Sequence, residues 1–254
     1  EGYTPLANTL DSAWYNNMNF IGTILYSYMS VDEINACMMN DASWDIPSVR
    51  KAVSTIKEWL DNGYFPPHPE ADAEQRELFL RQDGICWVTG NWSISDIDTY
   101  GDGSFEVAII PFPGSETCTD GGSQVNFVGS GFMVSASSKN QDTALDYVEF
   151  ALMSPEACKV WSEIGKVIPP YTGEYSADIH DLVKLVESYL SDEKISNMAG
   201  INMWIGKNTF DFFSDAGQRM AIGALDVDSF IKELENIRQE DINAGNTKAS
   251  FPLK

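Results

Sequence analysis

A short window in the first half of the chain combines an amide with an aromatic side chain. Residues 87–93, with the sequence WVTGNWS, place Asn91 and Trp92 directly after Gly90. An indole presents an apolar plane to the C–H face of a sugar ring, and a carboxamide both donates to and accepts from hydroxyl groups. The window therefore indicates recognition of a neutral sugar. By itself the signal is weak, because the chain contains 7 tryptophans and we expect most of them in a core.

Other patterns that would support catalysis or metal binding are incomplete. Residues 96–101 resemble the start of a calcium loop, but Tyr100 and Val107 occupy positions 5 and 12, where oxygen ligands are required. We therefore predict an acidic turn there. The chain has no GxSxG elbow, Walker loop or GxGxxG motif. His180 lies among acidic residues and is predicted to be a solvated side chain rather than a catalytic base.

The four cysteines, Cys37, Cys86, Cys118 and Cys158, contain no CxxC pair, and only two histidines could join them. This spacing does not predict a zinc site. We expect buried free thiols, although the spacing leaves disulfide pairing open. The sequence thus predicts no metal, no cofactor and no catalytic residue.

The charge of the chain excludes some classes of partner. It carries 38 acidic and 16 basic residues, for a net charge of −22. Such a chain does not neutralise phosphates, which argues against nucleic acid and against anionic membrane surfaces. A neutral or cationic partner remains. The hydrophobic fraction of 43% is sufficient for a packed core, and no apolar run approaches the ~20 residues of a membrane span.

Helical periodicity recurs along most of the chain. Val49, Val53 and Ile56 lie on one face of a helix that we expect to end before Gly63. Further helices are predicted in residues 12–29, 71–81, 144–152, 179–190 and 230–237. Strands are predicted for residues 85–88, 107–110 and 132–136. Many helices with a few short strands indicate a helix-rich α/β fold.

One predicted helix has an especially clear start. Ser154 is suited to the N-cap and Pro155 to the first helical position. The apolar residues that we expect to face inward from this helix are Ala157, Val160, Trp161 and Ile164.

The order of these segments is more specific than any one of them. Residues 84–92 (GICWVTGNW) are followed by 105–113 (FEVAIIPFP), 129–135 (GSGFMVS), a helix over 144–150, and 153–157 (MSPEA). This succession resembles the group 1 extracellular solute-binding proteins, which deliver sugars to ABC importers. The resemblance extends from about Thr4 to the helix at 228–237.

The resemblance implies the periplasmic-binding-protein type II fold, with two α/β lobes. The early segments that build most of the first lobe are not present, so the chain resembles mainly the second lobe plus a returning segment of the first. On this basis residues 1–110 form a second-lobe segment, 111–170 the crossover and returning first-lobe segment, and 171–254 the helical C-terminal part of the second lobe. Strands without their sheet neighbours expose an edge, so we expect a dimer or a swapped assembly.

The resemblance also assigns ligand contacts. Trp92 matches the family's aromatic residue in the cleft between the lobes, and Asn91 is its polar neighbour. Gly129, Ser130 and Gly131 match a turn of small residues where the backbone approaches the ligand. The remaining aromatic candidates are Trp14 and Trp204. Trp59 and Trp161 are interpreted as packing residues.

The implied function is that of a non-enzymatic carbohydrate-binding component of an ABC sugar importer. The implied partners are a neutral mono- or oligosaccharide and ABC permease subunits. The implied location is extracytoplasmic, at the cell surface or in the periplasm, with membrane association only through an anchor ahead of Glu1. Three alternatives stay open. One is a cationic ligand such as a polyamine, which needs convergent carboxylates. Another is a fragment of a glycoside-processing enzyme, which needs two carboxylates at a fixed separation. The third is a scaffold piece that binds no ligand on its own.

Overall fold

A computed structural model describes residues 2–11, 20–71, 74–115, 123–125, 131–171, 173–198, 200–201 and 205–245. The strands in this part of the chain are β1 (Thr4–Leu6), β2 (Gly84–Cys86), β3 (Ser123–Val125) and β4 (Ser196–Met198). The helices are α1 (Phe20–Tyr28), α2 (Val31–Met38), α3 (Pro47–Asp61), α4 (Gln75–Leu80), α5 (Ser93–Tyr100), α6 (Gln141–Met153), α7 (Pro155–Glu163), α8 (Asp181–Leu190), α9 (Lys207–Ala221) and α10 (Val227–Ala244).

The chain divides into two compact units, which we describe separately. Unit 1 comprises Glu1–Val88, Pro111–Phe127 and Glu193–Lys254, and unit 2 comprises Thr89–Ile110 and Val128–Asp192. Unit 1 contains β1–β4 with α1–α4, α9 and α10. Unit 2 contains α5–α8.

The core of unit 1 lies among α1, α3, α9 and α10. The predicted stripe on α3 is confirmed, because Val49, Val53 and Ile56 are all fully buried. Aromatic edges fill the space between the last two helices: the ring centroids of Phe213 and Phe230 are 6.1 Å apart at a steep angle. These contacts make unit 1 a well-packed body on its own.

Two parallel strand pairs belong to unit 1. β1 pairs with β2, with Leu6 opposite Cys86, and β3 pairs with β4. The first pair approaches closely at Gly84, where an added Cβ would lie 2.6 Å from the Cβ of Ala7. Beyond the strands, Asn8 donates from Nδ2 to the carbonyl oxygen of Val88 (2.8 Å) and accepts from its amide (2.9 Å). Asn8 thereby continues the pairing past the end of β2 with a side chain.

Unit 2 buries much less apolar surface. Its buried hydrophobic residues in the described part are Ile94, Ala151, Cys158, Val183 and Val186. The inward orientation predicted for α7 is wrong: Val160, Trp161 and Ile164 are 54%, 39% and 71% exposed. The residues that α7 buries are Cys158 and Ser162 on another side of the helix. The apolar stripe of α7 therefore lies at the surface of unit 2.

The strand predictions are only partly confirmed. β2 covers the start of the predicted strand at 85–88, but the structure assigns neither 107–110 nor 132–136 to a strand. Residues 107–110 still alternate between half-buried and exposed, as the sequence pattern requires. They have no strand partner in the described part of the chain, and a ladder of backbone hydrogen bonds needs two strands.

Candidate ligand-binding site

The Asn91–Trp92 pair lies in a tight turn that leads into α5. The amides of Ser93, Ile94 and Ser95 donate to the carbonyl oxygens of Gly90 (3.1 Å), Asn91 (3.1 Å) and Trp92 (3.2 Å), in that order. The hydroxyl groups of Thr89 and Ser93 are 2.7 Å apart and share a further hydrogen bond. Because Ser93 and Ile94 are 2% and 1% exposed, the turn is anchored in unit 2 by its last residues.

This anchoring leaves the indole of Trp92 at the surface, where it is 40% exposed. The other part of its ring lies against Gly90, since a Cβ built on that glycine would overlap carbons Cε3, Cζ3 and Cη2 of the indole. Asn91 is half-buried next to it. An aromatic plane and a carboxamide are thus presented side by side on a fixed turn, which is the pair of groups that a neutral sugar requires.

Of the other predicted ligand contacts, the structure describes only Gly131. Gly131 is an exposed residue of unit 2 with open space where a side chain would begin. Gly129, Ser130, Trp14 and Trp204 lie outside the described residues. The structure therefore brings Asn91 and Trp92 together, and the remaining assignments stay predictions.

Two residues of unit 1, Asn8 and the first residue of the window, Trp87, were not assigned a role from the sequence. Asn8 holds the backbone of Val88 through the two hydrogen bonds described above. Trp87 packs against Phe79 with ring centroids 5.7 Å apart, and its buried Nε1 finds no hydrogen-bond partner among the described residues. The polar pair Asn8–Thr9 directly after a strand was the only signal in the sequence for the first of these roles.

The acidic stretch that resembles the start of a calcium loop, residues 96–101, lies in α5 up to Tyr100. Asp96 and Asp98 lie within α5, so the stretch is neither a calcium loop nor the predicted turn. The carboxylate of Asp98 lies 3.5 Å from Nζ of Lys166 and 3.4 Å from Nε2 of His180. His180 also caps α8, because its Nδ1 accepts from the amide of Leu182 at 3.1 Å. The predicted solvated histidine is instead a structural residue that joins two elements of unit 2.

The described residues contain three free thiols but no cluster of potential metal ligands. Cys37 and Cys158 are buried free thiols, as expected, and Cys118 lies outside the described part. Cys86 is a free thiol too, but it is exposed, so the expectation of burial is wrong for this residue. Burial raises the pKa of Cys37 to about 12, which keeps this thiol protonated and a poor metal ligand. The described residues contain no group of three potential metal ligands and no helix that could span a membrane.

A separate cavity of about 480 Å³ lies in unit 1. Its wall includes Lys57, Asp61, Phe65, His68 and Met220. None of the predicted ligand residues belongs to this wall. Because Lys57 pairs with Asp61 across one turn of α3, the charged groups of the wall largely neutralise one another.

Solved structures that resemble this chain include proteins named for the sugars they bind. A chitin oligosaccharide binding protein superposes with a TM-score of 0.74 at 14% identity, over 93% of this chain and 60% of that one. The putative binding protein MsmE from Bacillus subtilis, in an open conformation, gives 0.75 at 14% identity over 97% and 61%. The maltose/maltodextrin-binding domain MalE from Bdellovibrio bacteriovorus, bound to maltotriose, gives 0.62 at 16% identity over 95% and 61%.

The chain has the fold of these binding proteins. It is a helix-rich α/β fold of the periplasmic-binding-protein type II kind, as the sequence predicted. The chain spans about three fifths of the length of the solved structures, 60% and 61% in the cases above. No protein-family model matches the sequence, and no curated protein does.

Proposed function

We propose that this chain is the carbohydrate-binding component of an ABC sugar importer, related to the group 1 extracellular solute-binding proteins, and that it binds a neutral mono- or oligosaccharide without catalysis. The observation that carries the proposal is the exposed Trp92 indole on an anchored turn, with Asn91 beside it. The fold supports it, because the solved structures that share the fold include proteins named for chitin oligosaccharide, raffinose and maltotriose.

The chemistry of the turn favours a sugar over a charged ligand. The C–H face of a pyranose ring gains dispersion contacts and loses little hydration when it stacks on an indole. The carboxamide of Asn91 forms no hydrogen bond with its own surroundings in the described part of the chain, so both of its polar atoms are available to hydroxyl groups. Neutral hydroxyl groups are also not repelled by a chain with a net charge of −22.

The proposal includes the partners and location of such a component. The protein would deliver its sugar to ABC permease subunits on the outer side of the membrane, and its own membrane association would come only from an anchor ahead of Glu1. A second copy of the chain is a further proposed partner. The segment 107–110 supports this dimer, since it alternates in exposure like a strand and lacks a strand partner among the described residues.

The test is isothermal titration calorimetry of the 254-residue chain, and of the longer gene product if there is one, with maltotriose, raffinose and chitin oligosaccharide. Saturable binding with unchanged sugar on chromatography is expected. Trp92→Ala should weaken binding about tenfold or more, because a stacked aromatic contributes on the order of 1.4 kcal/mol.

Trp161→Ala is the matched control. Its indole is 39% exposed, against 40% for Trp92, but we interpret it as a packing residue, with Nε1 donating to the carbonyl oxygen of Ala151 at 2.8 Å. The control should keep the affinity of the parent chain at a temperature where both variants are folded. A folded parent that binds none of the sugars contradicts the proposal and directs the search to polyamines. Cleaved sugar in the sample would favour the glycoside-processing alternative.

A further inference from the structure

Gly90 is in close contact with the indole of Trp92. A Cβ built at this glycine would overlap three carbons of the six-membered indole ring, namely Cε3, Cζ3 and Cη2. The ring therefore lies directly against the backbone of its own turn. Any side chain at position 90 takes space that the indole now occupies.

A left-handed backbone does not explain the glycine at this position. The glycines of the described residues with a left-handed φ are Gly2, Gly63, Gly103, Gly223 and Gly245, and Gly90 is not among them. The packed ring supplies a different reason for glycine here, because a side chain at position 90 would overlap the indole.

Hydrogen bonds hold the backbone of the turn in place. The carbonyl oxygen of Gly90 accepts from the amide of Ser93, whose side chain is bound to Thr89 and is 2% exposed. The indole is joined to this backbone through two side-chain torsions and is 40% exposed. Because a side-chain torsion adjusts more readily than a hydrogen-bonded backbone, we expect a methyl group at position 90 to displace the indole.

We propose that Gly90 is a positioning residue for Trp92. Because position 90 has no side chain, the indole can pack against the backbone of the turn, and this packing sets the orientation of the ring on which the ligand stacks. The consequence for binding rests on the function proposed above. The effect on the indole itself does not, and it can be measured without a ligand. Gly90 then acts on affinity only through Trp92.

The experiment is a double-mutant cycle with Gly90→Ala, Trp92→Ala and the double variant, titrated with the sugar that the parent chain binds among maltotriose, raffinose and chitin oligosaccharide. We expect Gly90→Ala to weaken binding about fivefold or more in the parent and less than twofold in the Trp92→Ala background. Far-UV circular dichroism and the melting temperature should change little. Equal losses in both backgrounds, or parent affinity in Gly90→Ala, would overturn the proposal.

A second measurement keeps the test independent of any ligand. Acrylamide quenching of tryptophan fluorescence is compared between each protein and its Trp92→Ala counterpart, which isolates the Trp92 signal. We expect the Trp92 contribution to be quenched more strongly in Gly90→Ala than in the parent, because the displaced ring gains exposure. If the parent binds no sugar but this quenching changes, the function proposal fails and the positioning role stands. Unchanged quenching refutes the positioning role.

Discussion

At the scale of single residues, the exposure of Trp92 is a consequence of how its neighbours are anchored. Burial of a tryptophan removes on the order of 150–250 Å² from water, and its surface exposure forgoes part of that gain. Trp44 in unit 1 is 2% exposed, whereas Trp92 keeps 40% of its surface in water although Ser93 and Ile94 beside it are buried. The turn holds the indole outward, which is the arrangement that a ligand-stacking residue needs.

A charge pair at the same scale gives a prediction about pH. Arg219 donates two hydrogen bonds to Glu233, at 2.8 and 2.6 Å, and the hydrogen bonds from Arg219 are the main cause that lowers the pKa of Glu233. A carboxylate with a lowered folded-state pKa adds stability above its unfolded value and loses it as the pH falls. Since Glu233 is 40% exposed, we expect Glu233→Gln to cost only about 0.5–1 kcal/mol at neutral pH.

Urea unfolding at neutral pH and near pH 3 checks this expectation. The difference between Glu233→Gln and the parent should shrink as the pH falls, because the contribution of the ion pair is lost while the parent carboxylate is protonated on passing through its lowered pKa. Glu240→Gln is the control for removing one negative charge, because Glu240 is an exposed residue on the same helix, α10, and forms no ion pair within the described part of the chain. A difference of the same size at both pH values would show that the ion pair is not its cause.

At the scale of elements, local signals were sufficient for some helices. Gly63 follows α3 with φ of 69°, as a C′ glycine should. Ser154 accepts from the amide of Ala157 and Pro155 opens α7, both as predicted. The same kind of signal was present but missed for α2, where Ser30 and Glu33 form a capping box. Caps depend on residues three or four positions apart, so the sequence contains them in full.

Features that depend on distant neighbours could not be predicted. The alternating residues 107–110 have the right pattern for a strand, but pairing requires a second segment that the pattern does not identify. The stripe Val160–Trp161–Ile164 is amphipathic, but its exposure depends on which elements surround α7. At the site, the Asn91–Trp92 pair was predictable from its own residues. The support from Asn8 was not, because 80 residues separate it from Val88.

The β1–β2 pair gives a prediction for an element. At Gly84 a Cβ would lie 2.6 Å from the Cβ and 2.9 Å from the Cα of Ala7. These atoms are fixed to a paired backbone, which cannot move away by a change of side-chain rotamer. We expect Gly84→Ala to lower the free energy of unfolding by about 1–3 kcal/mol. Gly131→Ala, with nothing within 4 Å of its Cβ, should stay within about 0.5 kcal/mol of the parent. Equal urea midpoints for the two variants would contradict the close-packing argument.

At the scale of the whole molecule, exposed apolar surface favours association, whereas the net charge opposes it. Unit 1 has a continuous core, whereas unit 2 leaves Met133 95%, Ile164 71% and Ile110 73% exposed. Exposed apolar surface of this kind is typical of interaction sites. The net charge of −22 opposes contact between two copies of the chain, so any self-association must overcome repulsion that salt screens.

The proposed dimer therefore has a specific salt dependence. Light scattering of the chain should show dimer, and the dimer fraction should rise between about 0.05 and 0.5 M NaCl, because the Debye length falls several-fold over this range. Ile110→Lys places a charge on the segment 107–110 and should weaken the dimer about tenfold, since charged residues on natural edge strands prevent pairing. Ile222→Lys is the matched control: Ile222 is 62% exposed, lies in unit 1 and gains the same charge. A monodisperse monomer at every salt concentration, or equal weakening by both variants, would exclude an association through this edge.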